Sequence, residues 1–221
     1  MLISIDLSIK SAGVAIQYTK NNEKHIVLYS PTEYKVNDEK SSYGELNKDK
    51  ICIFFIHNDV IEKFKKSNLD LKEHYFDRIK HNVKMFMNVL NKTLETIKES
   101  ADDKEMKFSI EGYSYGSAKG LNFDIAEYCG LIKYYIEETY KTKIVVIPPT
   151  TIKKFAYKGN ATKIEMVDSA MKTNSDLKES FTSMKKYYMK KNSDKNPLYE
   201  SPFNDLIDAY FQLKYFESII N

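Results

Sequence analysis

The chain has 221 residues, 42% hydrophobic and 29% charged, enough for one substantial core burying roughly 70% of the extended-chain surface, with little left for a second. Its 34 basic and 31 acidic residues leave a net charge of +3, too balanced to argue for an anionic partner unless the charge clusters. Two distant cysteines exclude a disulfide framework and a zinc-ribbon pattern, and neither a leader peptide nor a long apolar run is visible, which predicts a soluble, intracellular protein with no membrane association.

In chain order, LISIDL (2–7) and VAIQY (14–18) are apolar runs separated by the turn SIKSAG, and HIVLYS (25–30) follows a polar turn at 21–24. Three short strands joined by tight turns predict an antiparallel meander. Residues 31–50 are polar, and ICIFFI (51–56) reads equally as a strand or as the start of a buried helix. Between Asp70 and Ser100, Tyr75, Ile79, Val83, Phe86, Leu90, Leu94 and Ile97 recur at steps of three and four, the period of an amphipathic helix.

KFSIE (107–111) predicts a strand and is followed by a loop containing Gly112, Gly116 and Gly120. Helical spacing returns from Leu121 to about Tyr140. KIVVIPP (143–149) predicts a fifth strand, continuous and apolar in the manner of a central one and stopped by two prolines. Residues 150–172 predict two short helices divided at Gly159–Asn160, Thr173–Asn196 a mobile lysine-rich segment, and SPFNDLIDAYFQLKYFESII a final, largely apolar helix. This order predicts a single α/β domain over 1–221, a five-stranded mixed sheet of three antiparallel strands and then parallel ones, flanked by helices on both faces.

Four carboxylates stand where packing alone would choose otherwise. Asp6 lies between Ile5 and Leu7 in a buried strand, where an ionised group costs several kcal/mol unless something meets it. Glu111 closes a strand at the start of a Gly-containing loop, where α/β sheets build their sites. Asp205 and Asp208, three apart, share one face at the start of the last helix. Taken singly, Glu111 reads as well as a turn residue, and Asp205 or Asn204 as a helix cap with Asp208 near the positive end of the dipole.

Together they imply more. Carboxylates about 4 Å apart repel by about 4 kcal/mol per pair at an effective dielectric near 20, so convergence requires protons or divalent cations. An all-oxygen donor set without His or Cys favours Mg²⁺ or Mn²⁺ over zinc. Two such ions about 4 Å apart can activate water, stabilise a phosphate in transition and carry the leaving oxygen, which suggests phosphodiester hydrolysis.

IKKFAYKGNATK (152–163) concentrates Lys153, Lys154, Lys158 and Lys163 just before a helix that Thr162 can open. Lysines and free amides at such a helix start suit phosphates, although an ordinary solvated lysine face reads as well. Tyr113 and Tyr115, in the loop after Glu111, are placed either to stack on unpaired bases or to pack the loop onto the domain.

SIDLSIKSAGVAI, FSIEGYSYG, IPPTTIKKFAYKGNATKIEMV and NDLIDAY occur in the order and element context of the RuvC family of Holliday junction resolvases. The chain resembles that family, within the ribonuclease H-like superfamily, and looks closest to phage or viral members. The likeness leaves about 31–65 and 173–196 unmatched, as insertions. Bacterial members usually carry glycine where Ser8 stands, a departure at a turn and not at a metal position.

By that resemblance Asp6, Glu111, Asp205 and Asp208 hold two Mg²⁺ ions, with Mn²⁺ able to substitute. They cut DNA near a four-way junction and leave 5′-phosphate ends. Lys153, Lys154, Lys158 and Lys163 match the segment that contacts the DNA backbone, and Tyr113 or Tyr115 matches an aromatic at the junction centre. Two symmetric cuts imply a homodimer, through the 70–100 or the 121–140 helix, working in the cytoplasm or another DNA-containing compartment of a host cell. The alternatives are a related nuclease for branched, flapped or replication-intermediate DNA, and a non-catalytic DNA-binding relative.

Overall fold

A computed structural model describes residues 1–8, 12–32, 51–57, 75–112, 121–185, 197–199 and 201–220. Strands β1 (Leu2–Asp6), β2 (Gly13–Lys20) and β3 (Glu23–Thr32) form the expected meander, antiparallel throughout. Asn21 and Asn22, both with positive φ (53° and 64°), make the two-residue turn between β2 and β3. Asn tolerates that left-handed backbone, and the resulting turn matches the twist of the flanking strands.

β4 (Ile51–His57) settles the ambiguity of ICIFFI: it pairs parallel with β3, from Ile26 opposite Ile51 to Thr32 opposite His57. β5 (Lys107–Glu111) runs parallel beside β1, and β6 (Ile144–Ile147) parallel beside β5. The sheet therefore has six strands and not five, in the order β4-β3-β2-β1-β5-β6. β6 is an edge strand in that sheet, with Val145 and Val146 exposed, and not the central strand its unbroken apolar run suggests.

Among the described residues six α-helices pack around the sheet: α1 (Tyr75–Ser100), α2 (Leu121–Tyr140), α3 (Pro149–Ala156), α4 (Lys163–Thr173), α5 (Ser175–Lys185) and α6 (Phe203–Ile220). Side chains alternate along a strand, so each face has its own core. Ile3, Ile5, Phe108 and Ile110 pack with Phe86, Leu90 and Ile132 of α1 and α2. On the other face Ala15, Leu28, Ile53 and Ile147 pack with Val167, Leu206, Leu213 and Phe216 of α4 and α6.

Part of the segment expected to be mobile is helix α5. Leu177 and Phe181, one turn apart, are fully buried, the Asn174 side chain accepts from the Leu177 amide at 2.9 Å, and Ser180 Oγ donates to Ile51 O at 3.0 Å. Apolar residues four apart fall on one face of a helix and can seat it among many polar ones. The remainder of that segment, 186–196, lies outside the described residues. Among the described residues no helix is long and apolar enough to cross a membrane.

Candidate metal centre

Alternation along two adjacent strands assembles half of the site. Ile3 and Ile5 of β1 face α1 and α2, so Ser4 and Asp6 face α6; in β5, Phe108 and Ile110 likewise leave Ser109 and Glu111 on the α6 side. Ile5 stands opposite Ile110 in the parallel ladder, which brings Asp6 and Glu111 together at the carboxyl ends of both strands. Crevices at such ends are where open α/β sheets bind ligands.

Helix α6 supplies the other half. Asp205, Asp208 and Gln212 recur at three and four residues along the stripe that faces the sheet. Gln212 Nε2 donates to Ser109 Oγ at 3.0 Å, and Ser109 Oγ lies 2.6 Å from Ser4 Oγ, all three residues being fully buried. This polar strip registers the helix against β1 and β5.

Gly13, paired with Asp6 at the start of β2, lets α6 come down closely. A Cβ there would lie 2.6 Å from the Asp205 carbonyl carbon and 3.2 Å from the Leu206 nitrogen. Only a residue without a side chain fits.

The result is a cluster in which carboxylate oxygens of Asp6, Asp205 and Asp208 all lie within 4.8 Å of one another. Glu111 shares a hydrogen bond with Asp6. Burial first, and then the charge of Glu111, raises Asp6 well above the usual carboxylate range. Glu111 is also raised by burial, against its hydrogen bond to Asp6, which favours the ionised form. Burial and the Asp6 charge push Asp208 up to about 8, although Lys163 works in the opposite direction.

Among the described residues one basic group pairs inside the cluster. Lys163 Nζ lies 3.1 Å from Asp205 Oδ1 and 3.8 Å from Asp208 Oδ2. The other Asp205 oxygen accepts a hydrogen bond from Ser201 Oγ. Lys163 begins α4 behind a capping box: the Thr162 hydroxyl accepts from the Glu165 amide at 3.3 Å, and Glu165 Oε2 accepts from the Thr162 amide at 2.8 Å.

All four predicted carboxylates thus come together. Of the four lysines, Lys163 pairs inside the cluster, and Lys153, in the last turn of α3, exerts its charge on Glu111 and Asp208. Lys154 is exposed on α3. Lys158 pairs with Glu165 and has its ammonium 5.3 Å from the Tyr157 ring centre. Tyr113 and Tyr115 lie outside the described residues.

Sequence reasoning missed Ser201, Gly13 and the Ser4–Ser109–Gln212 strip. A serine four residues before Asp205 and a glycine at the end of the first turn were the available signals. Gln212 carried one too, as a polar residue on a largely apolar helix in step with Asp205 and Asp208.

The donor set is oxygen-only, converging and largely withdrawn from water, the chemistry that suits a hard divalent cation. The fold and site define a mixed-sheet α/β domain with a carboxylate centre at the ends of two parallel strands.

No family model and no curated protein matches the chain. Solved structures do align with it over nearly its whole length. A Thermus thermophilus RuvC structure is 12% identical, with a TM-score of 0.43, over 99% of this chain and 95% of that one. T. thermophilus RuvC in complex with Holliday junction substrate is 8% identical, with a TM-score of 0.47, over 99% and 94%.

Proposed function

We propose that the chain is a divalent-cation-dependent DNA endonuclease of ribonuclease H-like type that resolves four-way junctions. The observation that carries this reading is the meeting of Asp6, Asp205 and Asp208, oxygens within 4.8 Å, beside Glu111. The four sequence blocks, three of which contain these residues, support the family, and kinship with phage or viral members rests on those blocks alone.

Asp6, Glu111, Asp205 and Asp208 would hold Mg²⁺, two per site by the family resemblance, or Mn²⁺. Such ions supply an activated water and stabilise the charge that develops on the phosphate and the leaving 3′ oxygen. The protein's own groups do the rest. Ser201 fixes one Asp205 oxygen, while the buried Gln212–Ser109–Ser4 strip fixes the helix that carries both aspartates. Asp208, at about 8, gives up a proton when the centre loads. In this reading Lys153, Lys154, Lys158 and Lys163 offer charge to the DNA backbone, supported by the action of Lys153 and Lys163 on the carboxylates, and Tyr113 and Tyr115 are the aromatics for the junction centre.

A junction has two-fold symmetry, so the reading includes a homodimer. Its support is a groove of about 480 Å³ between α1 and α2, lined by Phe76, Val83, Met87, Leu131 and Tyr135, with Phe76 and Tyr135 exposed.

Incubation with four-way, Y-shaped and linear duplex DNA in Mg²⁺ tests the proposal. Paired symmetric cuts in the junction are expected, and equal cutting of the linear duplex would overturn the resolvase reading in favour of a broader nuclease. Asp6→Asn is expected to abolish cutting while junction binding survives; undiminished cutting would remove Asp6 from the chemistry.

A further inference from the structure

The position of Lys163 carries an inference that rests on the nuclease reading and deepens it. Its ammonium bridges Asp205 and Asp208, two of the three residues whose oxygens converge, and its charge also acts on Asp6. A single positive charge placed there does electrostatically what a divalent cation would do.

Yet the side chain is 52% exposed, so its stem runs along the surface and has open space in which to turn. Its backbone is held by the Thr162–Glu165 capping box, which fixes where the lysine starts and not where its ammonium ends. Lys153 of α3 also acts by its charge on Glu111 and Asp208, and Lys154 follows it in the same helix turn. An ammonium swung out of the cluster therefore joins a basic surface.

We propose that Lys163 is a displaceable counter-ion: its ammonium neutralises Asp205 and Asp208 in the cation-free protein, leaves when a divalent cation binds, and then grips a DNA phosphate. The ammonium and the cation compete for the same oxygens. Metal loading and DNA grip are thereby coupled through one side chain, with a reciprocal effect of DNA on metal affinity.

The test is Mn²⁺ binding to the full chain without DNA, read by calorimetry and by electron paramagnetic resonance, for wild type, Lys163→Met, Lys163→Gln and Lys163→Arg. Removing the ammonium that competes for the Asp205 and Asp208 oxygens should tighten Mn²⁺ binding in the Met and Gln variants by about tenfold or more, while Arg stays near wild type. In EDTA the Met and Gln variants should melt below wild type, and saturating Mn²⁺ should erase that deficit.

In a second arm, a fluorescent four-way junction is titrated in EDTA and in Ca²⁺. The gain in affinity on adding Ca²⁺ should be several-fold larger for wild type than for Lys163→Met. If wild type binds Mn²⁺ but the Met and Gln variants bind it equally or more weakly, the counter-ion role is overturned and the nuclease reading stands. A wild type that binds no Mn²⁺ overturns both.

Discussion

Asp208→Asn is expected to stabilise the cation-free protein, by an amount that grows with pH. The Asp208 side chain is 17% exposed, and burial, together with the Asp6 charge, moves its carboxyl up to about 8 from an ordinary 3.8. The folded protein therefore holds this proton more tightly than the unfolded chain. The stability it contributes is fully present below about pH 3.8 and is lost as the pH rises through about 8. The whole difference, at about 1.4 kcal/mol per pH unit, is on the order of 5 kcal/mol. Partial exposure and sharing of protons with Asp6 and Glu111 reduce this to roughly 2–3 kcal/mol, or roughly 5–10 °C for a chain of this size.

Thermal unfolding in EDTA at about pH 5 and about pH 9 measures it. The variant should melt slightly above wild type at the lower pH, where the unfolded chain has lost this proton and the folded protein has not, and well above it at the upper one. Added Mg²⁺ should reverse the order, because wild type gains a ligand-bound state that Asn supports poorly. A variant no more stable than wild type near pH 9 without metal would refute the burial of a costly charge. Proton release on Mg²⁺ binding, and cutting that increases with pH up to about 8, follow from the same group.

Gly13→Ala should force the Asp205 carbonyl away from β2, costing more than the roughly 1–3 kcal/mol of ordinary overpacking because backbone cannot yield as a side chain does; a lower melting temperature and a lost Mg²⁺-induced rise would show it. Thr162→Ala removes the capping box of α4 and should cost about 1 kcal/mol, read by urea unfolding. Glu217 is a purely structural contrast. Burial opposes its charge, but hydrogen bonds from Lys214, Lys24 and Gln17 outweigh it and hold the group at about 2. Its contribution is present above about pH 4.5 and lost as the pH falls towards 2, so Glu217→Gln should cost about 1–2 kcal/mol near neutral pH, discounted for the exposed Lys24, and nothing near pH 2.

The carboxylates were legible because each interrupts an otherwise regular apolar pattern, and an interruption needs a cause. Elements were harder wherever a pattern lacked a period. ICIFFI is continuous and apolar, so only its ladder with β3 distinguishes strand from helix. IVVI has the composition of a central strand and occupies an edge, since composition reports what a strand tolerates and topology decides what covers it. Helix α5 buries Leu177 and Phe181, apolar residues that do not stand out among lysines and serines. Lys163 pairing with Asp205 was beyond reach for another reason: the two stand 42 apart in sequence and meet only because α4 and α6 converge on the same strand ends.

Register and chemistry are one constraint in this sheet. Along β1, Ile3 and Ile5 must face the α1–α2 core, which leaves Ser4 and Asp6 to α6; along β5, Phe108 and Ile110 leave Ser109 and Glu111 the same way. A one-residue slip of either strand would turn its carboxylate into the apolar core and an isoleucine into the cluster. The Ser4–Ser109–Gln212 hydrogen bonds oppose that slip from the polar side, as the isoleucines do from the apolar side. What aligns the four carboxylates is therefore the same alternation that builds the two cores. A substitution that loosens the strip, though it touches no carboxylate, acts on the candidate centre through the placement of α6.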